Sequence, residues 1–321
     1  MKRFFITVLI ALIFPIALNG CAFLDNQENF KVTVILSDSS ENYDTTEKSL
    51  MNSIEELGYE NKIEFKTKNA KGDLKKLNRY IKNLSSDTDL VVTVGTEAAI
   101  AAKEAKLLMP VIFINVPCPD ENEVATSLEA TDNITGITCD VPVENVFELA
   151  YTIDQNIDSV GLIYDPIDNN STVYIDKSIE ICKLVGIDYY TLQIDKNDDI
   201  AEQAKELITK TDMLFAPYSK ASFELMTDLS KLSKMYGTPI YTNNMDMVKS
   251  GALASIEVNY TALGHQTAHM IVRILGGVDV KNTPVENAKE YITSINTDIA
   301  EGLDIDIPDS LENEYIPVSF D

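Results

Sequence analysis

Short, almost uninterrupted apolar runs rich in β-branched residues, separated by stretches of helical period, constrain the fold of this chain more than any other feature. Val32-Thr33-Val34-Ile35-Leu36, Leu90-Val91-Val92-Thr93-Val94 and Val111-Ile112-Phe113-Ile114 have no polar face. Such strands need a sheet covered on both sides, hence parallel strands joined by helices. Between them the helical period runs over Thr45 to Leu57, closed by Gly58, over Asp73 to Leu84, and over Ala98 to Leu108, stopped by Pro110. After Asn133 to Thr138 the alternation begins again. Strands at Ser159 to Tyr164, Tyr189 to Gln193, Met213 to Pro217 and Pro239 to Thr242 are separated by a helix ending at Val185 and by helices over Ile200 to Thr209 and Phe223 to Tyr236. The pattern predicts an α/β chain of two doubly wound parallel-sheet lobes. No Gly/Ser-rich linker divides them. Short crossings near Cys139 to Val143, Val258 to Thr261 and Tyr291 are therefore expected to form a multi-crossing hinge. The expected division is 31–140 plus 260–290 for the first lobe and 141–259 plus 291–321 for the second.

The first twenty residues do not fit this alternation. Lys2 and Arg3 precede an apolar run, Phe4 to Leu18, too short for a typical membrane span, and the run ends in Leu18-Asn19-Gly20-Cys21. Residues 1–20 are expected to be a signal peptide, and the sequence around Cys21 resembles the lipobox of bacterial lipoproteins. That resemblance implies acylation of Cys21 and a tether over residues 21–30, a chain anchored to a membrane rather than spanning it. Asn19 departs from the usual small or apolar residue. Loss of this leader leaves about 300 residues, more naturally two domains than one. The formal charge of −25 would become −27 with Lys2 and Arg3 removed. Acidity spread in this way reads as a solvated surface and argues against nucleic-acid binding. Cys118, Cys139 and Cys182 are too few for a disulfide scaffold or a structural zinc site.

The order and spacing of several short segments resemble the type I periplasmic-binding-protein superfamily over nearly all of the chain after Cys21. They are Glu55-Glu56-Leu57-Gly58-Tyr59, Asn69-Ala70-Lys71-Gly72-Asp73, Thr93-Val94-Gly95-Thr96-Glu97-Ala98-Ala99, Asn133-Ile134-Thr135-Gly136, Gly161-Leu162-Ile163-Tyr164-Asp165-Pro166, Gly251-Ala252-Leu253-Ala254 and Leu263-Gly264-His265-Gln266-Thr267. Within that superfamily the chain is similar to the ABC transporter substrate-binding lipoproteins, some of whose members bind tryptophan and other aromatic amino acids. The resemblance implies a small-molecule ligand held between the lobes and ABC permease subunits as partners. It also implies an extracytoplasmic location on the outer face of the cytoplasmic membrane. The protein is expected to be a monomer without cofactor or metal.

A cleft between two parallel sheets collects strand C-termini and helix N-termini, and the candidate binding residues lie there. The turn Gly95-Thr96-Glu97 leaves backbone N–H groups at Thr96, Ala98 and Ala99 for an anion such as a carboxylate, although Thr96 could equally be a plain helix cap. Asp168-Asn169-Asn170-Ser171 offers a comparable turn in the second lobe, with Asn170 and Ser171 as polar contacts or as ordinary capping residues. Tyr43, in the loop after the first strand, and Tyr218-Ser219, after the strand ending at Pro217, could sandwich a planar ligand. Ser39 stands in a first-strand loop that departs from the family pattern: Ser39-Ser40-Glu41 replaces a Glu-His-Pro element. Asn244 and Asn259 occupy positions where the family carries aspartate. A buried ammonium wants a carboxylate, so these two changes count against a zwitterionic amino-acid ligand unless Asp246 or Glu257 compensates.

Cys118 and Cys139 follow consecutive strand segments at positions where the family pattern has aspartate. The paired change suggests a disulfide at the cleft edge; the alternative is two unrelated thiols. His265 and His269 lie one helical turn apart, a zinc-compatible spacing, but opposite the stripe Leu263, Met270 and Ile274, which makes them a solvated face. No phosphate-binding loop, nucleophile elbow or Cys-His-Asp set with family context suggests an enzyme. Capture of a solute for a permease is the expected function. A sensor read by a receptor kinase or chemoreceptor is the alternative, and a ligand-free structural lipoprotein a weaker one.

Overall fold

A computed structural model describes residues 29–120, 122–125, 133–194, 200–312 and 314–320. Cys21 and the leader lie outside the described residues, and no helix among the described residues is long and apolar enough to cross a membrane. The first half alternates β1 (Phe30–Leu36), α1 (Glu41–Glu56), β2 (Ile63–Asn69), α2 (Leu74–Lys82), β3 (Leu90–Val94), α3 (Thr96–Glu104), β4 (Val111–Val116) and β5 (Ile134–Thr138). The second runs through α4 (Val143–Ile153), β6 (Ser159–Tyr164), α5 (Asn169–Val185), β7 (Asp188–Gln193), α6 (Ile200–Ile208), β8 (Met213–Phe215), α7 (Lys220–Tyr236), β9 (Ile240–Thr242), α8 (Met245–Lys249) and β10 (Ala254–Val258). Then come α9 (Tyr260–Leu275), β11 (Glu286–Asn287), β12 (Tyr291–Asn296), α10 (Thr297–Gly302) and β13 (Tyr315–Val318). The strands form two sheets, in the orders β11-β5-β4-β3-β1-β2 and β13-β12-β10-β9-β8-β6-β7. All pairs are parallel except β10 with β12. The expected pair of doubly wound lobes is thus present.

The apolar runs form strands because helices cover both faces. β3 and β4 are buried along their whole length, with Val92, Val94, Ile112 and Ile114 facing one cluster and Val91, Val111 and Phe113 the other. On the first of these faces α1 and α9 pack against each other. A Cβ on Gly264 would lie 2.6 Å from Thr46 O and 2.7 Å from Leu50 N, so only glycine allows this approach. Ser49 Oγ donates to Thr261 O at 2.7 Å across the same seam.

The largest departures from the expected helix boundaries are at α1 and α3. α1 starts at Glu41 rather than Thr45, because Ser40 accepts from Tyr43 N at 3.2 Å and caps it; Tyr43 is therefore in the first helical turn, not in a loop. α3 stops at Glu104 instead of continuing to Leu108, since Lys106 adopts φ 50° and breaks the helical path. Asn133 Nδ2 then donates to Leu107 O and, at 2.6 Å, to Met109 O, which fixes the turn into β4.

The chain passes between the sheets after β5, after β10, and between β11 and β12. These crossings are tied to one another: Asn259 N donates to Glu290 O at 2.9 Å and Ala288 N to Thr138 O at 3.1 Å. Val141 N donates to the Tyr174 hydroxyl at 3.1 Å. Hydrogen-bonded parallel crossings restrict the lobes to a hinge-like motion.

Gly264→Ala is expected to force α1 and α9 apart and destabilise the protein by about 1–3 kcal/mol, the usual range for overpacking. A lowered urea midpoint with unchanged m would show it; an unchanged midpoint would contradict the close approach.

Candidate ligand-binding cleft

The C-terminal edges of the two sheets face each other, and each edge presents different chemistry. In the first lobe β3 ends in Gly95, with φ 96°, from which α3 starts. A Cβ here would lie 2.3 Å from Ser37 Oγ and 2.5 Å from the Tyr43 hydroxyl, so the turn is packed directly beneath the Tyr43 ring. No side chain caps α3. Its first N–H groups, those of Thr96, Glu97 and Ala98, form the positive end of the helix dipole at the cleft. Ala99, expected among the donors, is instead bound within the helix, its N–H donating to Gly95 O at 3.1 Å; Glu97 N–H takes its place. The side chains of Ala98 and Ala99 are buried, so only backbone at these positions is available to the cleft.

In the second lobe Glu257, at the end of β10, is 7% exposed and accepts from Met245 N at 3.2 Å. Burial raises its pKa, with Asp246 and Glu41 adding to the rise and Lys249 and the Met245 hydrogen bond opposing it. A cavity of about 130 Å³ lies here between α1 of one lobe and α8 and β10 of the other, lined by Glu41, Asn42, Asn244, Asp246, Lys249, Glu257 and Tyr260. Its charged groups are mostly acidic, a setting for a cation.

Tyr43 and Tyr260 join the two halves. Burial raises the Tyr43 pKa, with Cys139, Glu97 and Asp38 as its acidic neighbours; Tyr260 is raised by burial and then by Cys139, Glu257 and Tyr43. Tyr260 was not among the residues expected to bind. Its only signal was its place at the start of α9, directly after a crossing. Tyr218 is 47% exposed on the second-lobe wall, its ring 6.3 Å from that of Phe223, with Asp246 and Asp168 as its charged neighbours. Ser39 is exposed at the first-lobe rim and accepts from Asn69 Nδ2 at 3.1 Å.

Several expected contacts are engaged elsewhere. Ser219 and Ser222 form a capping box at α7, and Ser219 is fully buried. Ser171 is also buried, and its Oγ accepts from Asp165 N at 3.1 Å. Asn244 lines the cavity but its Oδ1 caps α8 through Met247 N at 3.1 Å. Asn170 Oδ1 accepts from Asn122 Nδ2 of the first lobe at 2.8 Å, and Asn169 Nδ2 donates to Asn122 Oδ1 at 3.3 Å. Asn170 thus contributes a contact between lobes.

Cys118, Cys139 and Cys182 are all thiols, so of the two readings of Cys118 and Cys139 the structure shows the unrelated thiols. Cys118, at φ 46°, directs both its N–H (2.7 Å) and its Sγ (3.2 Å) to Asp140 Oδ1, and Lys177 Nζ lies 3.9 Å from the same sulfur. Asp140, not Cys139, therefore faces Cys118. Cys139, one residue earlier, lies beside Tyr43 and Tyr260. Of the histidines, His269 is exposed, whereas His265 is half-buried and hydrogen-bonded through Nδ1 to Ser53 Oγ. Both line a larger groove of about 980 Å³ along α9, outside the cleft. Its Glu286 is paired with Arg273 and accepts from Gln266 at 2.7 Å.

Two parallel α/β lobes whose strand ends meet across tied crossings define a bilobal binding protein of the periplasmic type I class. The sequence profile described as "ABC transporter substrate binding protein" matches residues 30–316, and the chain belongs to that family. A tyrosine-binding protein of Clostridioides difficile (strain R20291) is 26% identical over 285 residues, which cover 87% of this chain and 81% of the relative. A Streptococcus pneumonia ABC domain solved in complex with L-Trp is 26% identical, with a TM-score of 0.73, over 91% of this chain and 100% of that one. The ligand-free, open structure of a Clostridium difficile substrate-binding protein with adhesive properties shares the fold, with a TM-score of 0.82 at 23% identity, over 91% of this chain and 100% of that one.

A raised pKa at Glu257 makes a definite pH prediction. The stabilisation belongs to the protonated form: it is fully present below the unfolded value of about 4.3 and is lost as pH rises through the higher folded value. Glu257→Gln should therefore match the parent in Tm near the unfolded value and exceed it at neutral pH. A parent that is the more stable at neutral pH would contradict this.

Proposed function

We propose that this chain is the lipid-anchored, extracytoplasmic solute receptor of an ABC importer, and that its ligand is an aromatic amino acid held as a zwitterion by closure of the two lobes. The observation that carries the ligand reading is the pairing of an uncapped α3 N-terminus on one wall with buried Glu257 on the other. A carboxylate suits the N–H groups of Thr96, Glu97 and Ala98. An ammonium suits Glu257, which would ionise on binding because a buried cation favours the charged carboxylate. Tyr43, Tyr218 and Tyr260 supply aromatic faces between the two charges, each ring contact adding about 0.5–1.5 kcal/mol beyond burial. The C. difficile and Streptococcus relatives, whose ligands are tyrosine and L-Trp, support the same class.

No covalent step is required. A ligand that touches both walls binds the closed arrangement more tightly than the open one, and that difference shifts the population toward closure. The permease then receives a chain whose lobes report occupancy. The anchor reading rests on Leu18-Asn19-Gly20-Cys21. Charge repulsion between an acidic protein and an anionic membrane makes such an anchor useful.

A thermal-shift screen of the protein amino acids and common sugars is expected to raise Tm with tyrosine, tryptophan or phenylalanine and not with sugars. Glu257→Gln should weaken the best of these by about 2 kcal/mol or more, since it removes one partner of a buried charge pair. A sugar as the strongest stabiliser would overturn the reading. For the anchor, Cys21→Ser should release the protein from the membrane fraction or leave it unprocessed; retention with normal processing would contradict it.

A further inference from the structure

The cleft occupies the C-terminal edge of the first sheet, and the opposite edge carries a feature the binding function does not use. Leu108, in the turn between α3 and β4, is 97% exposed, the highest value among the exposed large hydrophobic side chains. It does not stand alone. Leu84, Leu107 and Met109 are partly exposed residues packed on the same core cluster. The turn is held in shape by Lys106 at φ 50° and by the Asn133 amide, which donates to both Leu107 O and Met109 O and so turns Leu108 outward. Lys103 and Lys106 flank it.

The place where the chain enters the fold says what this tip meets. β1 begins at Phe30, on the same edge of the same sheet: Val32 is level with Leu90, and Val91 with Val111. β1 and β4 are separated by β3 alone, so the tip lies about 10 Å from the start of β1. Only eight residues separate Phe30 from Cys21. Even fully extended, they hold this edge within about 30 Å of an anchor at Cys21.

We infer that the Leu107-Leu108-Met109 turn is a membrane-contacting tip, which inserts Leu108 at the lipid interface with Lys106 at headgroup level. The inference rests on the lipoprotein reading above. Apolar side chains backed by lysine suit an interface of this kind. The tip stands the first lobe upright, with the ligand cleft about one strand length, roughly 20 Å, above the lipid and open to the medium.

The chain contains no tryptophan, so Leu108→Trp introduces a single fluorophore at a site where the fold is indifferent to the change. The test uses the chain from Cys21 onward, coupled through the Cys21 thiol to a maleimide-headgroup lipid in phosphatidylethanolamine–phosphatidylglycerol vesicles. This chemical anchor does not depend on cellular acylation. The expected result is a shift of emission to shorter wavelength and loss of intensity with brominated acyl chains. Tyr190→Trp, on exposed β7 of the other lobe, should show neither. Emission from Leu108→Trp that is the same on vesicles as in solution, or the same as from Tyr190→Trp, would overturn the tip while leaving the lipoprotein reading intact. Conversely, membrane retention of normally processed Cys21→Ser in cells would overturn the anchor without altering the vesicle result.

Discussion

Most helices of this protein are closed at their N-termini by the chain's own side chains: Ser40, Asp73, Asp168, Ser219, Asn244, Asn259 and Asn296 each accept from a first-turn N–H. α3 is different. Its cap position is Gly95, and the space a side chain would fill is taken by Tyr43 and Ser37. Across the interlobe gap Glu257 is buried with one backbone donor for its carboxylate. A helix end without a side-chain cap, with only the exposed Glu97 carboxylate in its first turn, and a buried carboxyl group with one donor leave unused binding capacity in the empty protein. A ligand with the opposite charges uses it only when both walls reach the ligand together. That arrangement links binding to lobe closure.

The hinge makes the coupling economical. The crossings after β5, after β10 and before β12 hydrogen-bond to one another, so the lobes cannot separate independently. Away from the crossings, Asn122 contacts Asn169 and Asn170 across the gap. Neutral amide contacts of this kind contribute about 1 kcal/mol each at most. They favour proximity of the walls without replacing the ligand, and shifting such an equilibrium takes only the difference in ligand affinity between its two states.

The strands were legible because sheets covered on both faces select apolar residues, and β3 and β4 carry one polar residue each, Thr93 and Asn115. Helix starts were harder to read: Ser40-Glu41-Asn42 has the composition of a loop, and only the Ser40 cap makes it a first turn. The binding residues were legible as a region but not as individual contacts. Ser171, Ser219 and Asn244 have the chemistry of ligand contacts and of helix caps alike, and in the fold all three hold helix starts or the turns before them. Glu257 was expected, because a cation in a cleft needs a carboxylate. Tyr260 was missed, since nothing local separates a cleft tyrosine from a core one. Whether Cys118 and Cys139 were bridged stayed open in the sequence because adjacent strands set position and not direction: the turn at Cys118 points its sulfur at Asp140.

The central claim is that one ligand carries both charges the cleft requires. Calorimetric titration with L-tyrosine, tyramine and 3-(4-hydroxyphenyl)propionate tests it most directly, because the three share a ring and differ in the groups that meet α3 and Glu257. The account predicts measurable binding of L-tyrosine, with each analogue weaker by about 2 kcal/mol or more, roughly thirtyfold. Equal binding of either analogue would contradict it.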